Sequence, residues 1–129
     1  LAPTFASWAG ITSPGFVDGR SLVPLLTANP SAPWRDAFLV EHRRSPEEFA
    51  SVKAIPNYYA LRTSQYSYTE YATGERELYR LDTDPYELNN VYRSASSTLV
   101  SNLHARLNAL KRCGGTGQTQ ASCERAEGG

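Results

Sequence analysis

The chain has 129 residues with 13 basic and 13 acidic side chains, so its net charge is zero and it has no basic excess with which to hold a nucleic acid. A content of 40% hydrophobic and 11% aromatic residues is enough for a compact core in one small domain or part of one. No apolar run reaches the roughly 20 residues of a membrane-spanning helix, so neither nucleic acid nor membrane is expected as a partner.

Leu1, Phe5 and Trp8 recur at helical spacing, Pro3 suits a first turn, and Gly10 stands where a left-handed residue ends a helix. Pro14-Gly15 and Asp18-Gly19 then mark a loop and a turn, after which Ser21 can cap a short helix through Leu26. The small, polar, proline-containing stretch that follows reads as a linker, with a boundary near Ala28. Ala37 to Val40 is a short apolar run that suits a strand inside a sheet. It ends in the charged cluster Glu41-His42-Arg43-Arg44, and a loop is expected from there to about Pro56, with a capped turn within Ser45-Pro46-Glu47-Glu48-Phe49.

Three further strands follow in a meander: Tyr58 to Thr63, Tyr66 to Tyr71 and Glu77 to Leu81, joined by turns at Ser64-Gln65 and Thr73-Gly74. In Asp84-Pro85-Tyr86-Glu87, the spacing of Asp84 and Glu87 around a proline predicts a capping box and one helical turn, closed by Asn89 and Asn90. Beyond Tyr92 a helix capped within Ser94 to Ser97 should reach about Arg112. Leu99, Leu103, Leu107 and Leu110 would form its packing stripe, and His104 would lie off it, facing solvent. The expected class is α+β: an antiparallel sheet of about four strands covered on one face by the C-terminal helix.

Two cysteines, Cys113 and Cys123, bracket a Gly, Thr, Gln and Ser loop and read as a small disulfide-closed loop in an oxidising compartment. Two isolated thiols are the alternative, and the two distant histidines give no zinc spacing. The tail from Gly114 onward is low in apolar residues and is expected to be loose beyond any disulfide. Tyr59, Tyr66, Tyr68, Tyr71 and Tyr79 can form a carbohydrate-stacking face or pack as cross-strand pairs, and packing is the commoner outcome. No methionine is present, even at position 1, which predicts a chain processed or cut from a longer one.

The stretch ELYRLDTDPYELNNV closely resembles a motif near the C-terminus of sulfatases, and LAPTFASWAGI, DGRSLVPLL and WRDAFLVEH are similar to segments found before it in that family, in the same order. The tail LNALKRCGG, with Cys123 beyond it, is similar to N-acetylglucosamine-6-sulfatase-like and related secreted arylsulfatases of the alkaline phosphatase-like superfamily. The resemblance implies that residues 1–28 end a large α/β domain, 29–36 link it onward, 37–112 form a C-terminal subdomain and 113–129 form a tail. It also implies sulfuric ester hydrolysis by the parent, a sulfated small molecule or glycan as its substrate, and the upstream large domain as this chain's partner. Calcium and formylglycine are then expected in the parent and no cofactor in this chain. A secreted, periplasmic or lysosomal location follows from the resemblance and the cysteines together.

Ser31-Ala32-Pro33-Trp34-Arg35 fits the S-x-P-x-R pattern from which the family makes its formylglycine. Its position in the linker, ahead of a strand, makes the match accidental, and no catalytic residue or metal ligand is assigned to this chain. The loop after the first strand resembles the corner that faces the active-site cleft, which makes His42 and Arg43 the candidate substrate contacts. A surface His42 paired with Glu41 is the structural alternative. Two other functions remain open on the residues: a free-standing carbohydrate-binding module, and a part of a related phosphoric or phosphonic ester hydrolase.

Overall fold

The computed structural model describes residues 1–14, 17, 19–27, 34–45, 55–113 and 120–128. The linker containing Ser31, the turn expected after Ser45 and the loop between the cysteines lie outside the described residues.

Four strands, β1 (Ala37–His42), β2 (Tyr58–Thr63), β3 (Tyr66–Tyr71) and β4 (Arg76–Arg80), form an antiparallel meander in the order β1-β2-β3-β4. The register aligns Leu39, Leu61, Tyr68 and Leu78 in one row across all four strands. Because side chains alternate along a strand, that row turns to one face and defines the core. The helix Ser97–Lys111, called α3, covers this face with Leu103, Leu107 and Leu110, and Leu61, Leu78 and Leu107 are completely buried. The layered α+β arrangement expected from the sequence is therefore present.

The turns are made by local chemistry. Thr63 Oγ1 accepts from the Gln65 amide at 3.2 Å and the Tyr66 amide at 2.8 Å, which closes the β2–β3 hairpin. At the β3–β4 hairpin Gly74 takes φ 105°, a conformation open to glycine at little cost. The Ser96 hydroxyl caps α3 by accepting from the Leu99 amide at 3.2 Å, a contact worth about 1 kcal/mol.

The corner after β4 is not the expected capping box. Glu87 sits at φ 54°, left-handed, and its carboxylate pairs with Arg62 on β2 instead of returning to the Asp84 amide. Asp84 accepts from the Leu88 amide at 3.1 Å and the Asn89 amide at 2.8 Å, so it brackets a turn rather than starting a helix. Asn90 accepts from the amides of Leu78 at 3.1 Å and Tyr92 at 3.0 Å and donates to the Arg76 carbonyl at 3.2 Å, supplying part of the backbone pairing that β4 lacks at the sheet edge.

Two short helices precede the sheet, α1 (Ala2–Trp8) and α2 (Val23–Leu26). Gly10 has φ 69°, as its placement after α1 implied. Thr4, 2% exposed, accepts from the Leu22 amide at 3.0 Å and ties α1 to the entry of α2. The face bearing Leu1, Phe5 and Trp8 points to solvent.

The tail also differs from expectation. Gln120–Glu127 forms a helix, α4, and Cys113 and Cys123 are joined in a disulfide with their Cα atoms 5.1 Å apart. Low apolar content suggested a loose end, yet polar contacts and a covalent tether hold this helix in place. Core packing dominates elsewhere: Leu107→Ala, at a site with no exposed surface, is expected to lower unfolding free energy by about 2–5 kcal/mol, read from the urea midpoint at unchanged slope.

Candidate functional site

The register that buries the leucine row sends a second set of side chains to the face that α3 does not cover. One row there is His42, Tyr58 and Tyr71, and the next is Val40, Ala60, Thr69 and Glu77. Small residues at Ala60, Ser67 and Thr69 keep the middle of this face low. Val40, Tyr58, Tyr71 and Arg62 stand around it, leaving a depression of about 340 Å³.

Tyr58 and Tyr71 form one wall, and His42 continues their row. His42 stacks on Tyr58 with ring centroids 5.5 Å apart and planes at 25°, and Tyr58 meets Tyr71 edge-on at 5.6 Å. The Tyr71 hydroxyl donates to Glu77 at 3.3 Å, and burial, reinforced by the Glu77 charge, raises its pKa above the ordinary tyrosine value. His42 Nε2 is buried and has no hydrogen-bond partner among the described residues. Such a nitrogen costs about 1–3 kcal/mol unless something bonds to it. Arg62 at the other side is neutralised by Glu87.

His42 and Arg43 thus part company, because neighbours on a strand point to opposite sides. His42 belongs to the open face. Arg43, just past the strand end, donates to the Tyr59 hydroxyl at 3.4 Å and lies 3.9 Å from Glu41, with its side chain 72% exposed. The ring contact of His42 is with Tyr58, and Glu41 is taken by Arg43. The tyrosines divide in the same way: Tyr59, Tyr66 and Tyr68 pack at the core, whereas Tyr58, Tyr71 and Tyr79 lie on the open face. Sequence reading passed over Tyr58 and Arg62, although strict alternation from the buried Leu61 points to the face that holds Arg62.

A second polar cluster sits on the covered face. Glu70, 8% exposed, accepts from the Tyr68 hydroxyl at 2.8 Å and from His104 Nδ1 at 2.5 Å, with Arg76 Nε 3.7 Å away. The Asn108 amide lies 2.8 Å from His104 Nε2, so a proton on Nδ1 satisfies both contacts of the ring. Half-exposed His104 is therefore the bridge from α3 to a buried carboxylate, not a free surface side chain. The leucine stripe could not reveal this, because the partner is on another element.

Burial alone would push the Glu70 carboxyl up, but hydrogen bonds from His104 and Tyr68 and the Arg76 charge outweigh it and hold the group below the ordinary glutamate range. The same carboxylate, after burial, drives the Tyr68 hydroxyl upward. Among the described residues no group of three or more His, Cys, Asp or Glu side chains could hold a metal ion. Calcium, which the family resemblance implies for the parent, finds no such ligand group among the described residues.

A sequence profile described as N-sulphoglucosamine sulphohydrolase, C-terminal, matches residues 1–113. The chain is 31% identical over 99 residues to an N-acetylglucosamine-6-O-sulfatase of Bacteroides thetaiotaomicron, a match covering 74% of this chain and 17% of that protein. It superimposes on BT4656, solved in complex with its substrate D-glucosamine-2-N,6-O-disulfate, with a TM-score of 0.70 and 27% identity over 83% of this chain and 22% of that one. A phosphonate monoester hydrolase of Agrobacterium radiobacter is also similar, with a TM-score of 0.66, 28% identity and coverage of 84% and 23%.

These likenesses place the fold among C-terminal parts of the alkaline phosphatase-like superfamily. The chain belongs to the sulfatase C-terminal family. It spans less than a quarter of the length of these relatives.

The depressed Glu70 pKa has a definite sign. The stability it confers is fully present above the unfolded glutamate value, about 4.3, and is lost as pH falls through the lower folded value. Urea midpoints measured from pH 7 to pH 3 should fall steeply at the acid end, and Glu70→Gln should flatten that fall while lowering stability at pH 7.

Proposed function

We propose that this chain is the C-terminal subdomain of a sulfuric ester hydrolase acting on a sulfated sugar, and that it serves as scaffold and as one wall of the substrate pocket. The match of residues 1–113 to the C-terminal sulfatase profile carries this reading. The similar protein bound to a disulfated glucosamine supports a sugar sulfate as the substrate class. The ester-cleaving residues, with calcium and formylglycine, are assigned to an upstream catalytic domain.

Tyr58 and Tyr71 border the depression, His42 stacks on Tyr58, and together they offer the apolar faces and polar edges that suit a sugar ring. His42, whose buried Nε2 lacks a partner, is the preferred contact to the part of the substrate that does not react. Arg43 is the secondary candidate, an exposed cation on the other side of the strand end that could meet a second sulfate. The disulfide supports an oxidising setting, whether secreted, periplasmic or lysosomal.

The likeness to a phosphonate monoester hydrolase favours a second reading, in which the parent cleaves a phosphonic ester. The structural corner shared by both classes says nothing of sulfur or phosphorus.

By itself the chain is expected to release no sulfate from an aryl sulfate, with or without calcium; turnover abolished by Ser31→Ala would reverse this assignment. Grafted in place of the matching C-terminal region of the Bacteroides N-acetylglucosamine-6-O-sulfatase, it should restore release of sulfate from glucosamine 6-sulfate. A folded chimera without sulfatase activity, or one cleaving only a phosphonate ester, would count against the sulfatase reading. In an active chimera His42→Ala should raise KM roughly tenfold with kcat little changed, the loss of one hydrogen bond to a bound sugar.

A further inference from the structure

The last helix returns across the molecule and ends in a concentration of polar contacts. Glu127 faces Arg20 at 2.8 Å and Arg35 at 3.6 Å, and its backbone carbonyl accepts from the Asp36 amide at 2.9 Å. Arg106 on α3 donates to the Ala126 carbonyl at 3.2 Å and pairs with Asp36. Ala126 packs against the core cluster. One helix end therefore touches the segment before α2, the start of β1 and the side of α3.

The contact with Arg20 differs from a surface pair. The two side chains are only 12% and 15% exposed, and the facing atoms, Arg20 Nη2 and Glu127 Oε2, are shut off from solvent. Arg20 lies in the N-terminal lobe that Thr4 and Leu22 hold together. Among the described helices and strands, α1 and α2 pack on each other and make no extensive contact with the sheet or α3. Glu127 is thus a main fastening between the N-terminal lobe and the sheet.

What keeps Glu127 there is covalent. An isolated helix of eight residues is unstable in water, and α4, Gln120–Glu127, has that length. The Cys113–Cys123 bond anchors it to the end of α3 and holds its carboxylate at high effective concentration beside Arg20 and Arg35.

We propose that α4 is a disulfide-tethered clasp, and that the redox state of Cys113–Cys123 decides whether the N-terminal lobe is held against the sheet. Reduction by a dithiol breaks the S–S bond. Two electrons and two protons pass to the two cysteine thiols, and the dithiol closes to its own disulfide. Freed at that end, α4 frays, Glu127 leaves Arg20, and the N-terminal lobe loses its hold on the sheet while the sheet and α3 stay folded.

Trypsin provides the readout on the full chain, because Arg20 is both a clasp residue and a cleavage site. Cleavage rates after Arg20 are compared with those after Arg62 and Arg80, which report opening of the sheet. Dithiothreitol should accelerate cleavage after Arg20 roughly tenfold with Arg62 and Arg80 unchanged, the rate following the population of the open form. Cys113→Ser with Cys123→Ser should reproduce this without reductant. Glu127→Gln should also expose Arg20 while thiol titration finds the disulfide intact. Unchanged cleavage after Arg20 on reduction would overturn the clasp, as would a parallel rise at Arg62 and Arg80, which would make the bond a stabiliser of the whole fold. A rise on reduction without one in Glu127→Gln would remove Glu127 from the device and overturn it in this form.

Discussion

The cross-strand row of Leu39, Leu61, Tyr68 and Leu78 is the constraint from which the rest of the structure follows. Side chains alternate with a period of two, so fixing this row against α3 fixes the direction of every other side chain in the sheet. A slip of one residue in β2 would bury Arg62 and expose Leu61. The cost of that exchange is several kcal/mol in lost apolar burial and an unpaired buried cation.

Each face then has its own polar exception. On the covered side Glu70 is buried beside the leucines and is tolerated only because Tyr68, His104 and Arg76 surround it. That arrangement gives the sheet and α3 a directional link, which apolar packing alone lacks. On the open side, small residues leave a depression bounded by Tyr58 and Tyr71, and the unpartnered nitrogen of His42 is buried beside Tyr58. One face is committed to stability by α3, and the other carries the depression. This division suits a member of a C-terminal family whose relatives are several times longer.

Ion pairs join pieces that the core does not reach. Arg62 draws Glu87 out of a local cap and onto the sheet, which sets the corner after β4, and Glu127 draws the N-terminal lobe toward β1. In both cases a carboxylate that local reasoning would leave near its own helix end is claimed by an arginine distant in sequence. Such partly buried pairs matter more for geometry than for net stability, since desolvation offsets much of their attraction.

The sequence by itself determined the strands, their turns, the leucine stripe and the cysteine pair. Each of these depends on neighbours within a few residues: alternation, glycine at a left-handed position, a leucine every three or four residues. The family too was legible, because its motifs lie in order along the chain. Only the tertiary structure decided that His42 and Arg43 face opposite ways, that His104 serves Glu70, that Glu87 abandons the capping box, and that a tail poor in apolar residues is a docked helix. These outcomes depend on which groups distant in sequence meet in space. A charged side chain takes the partner that the folded register brings within reach, and no local pattern encodes that choice.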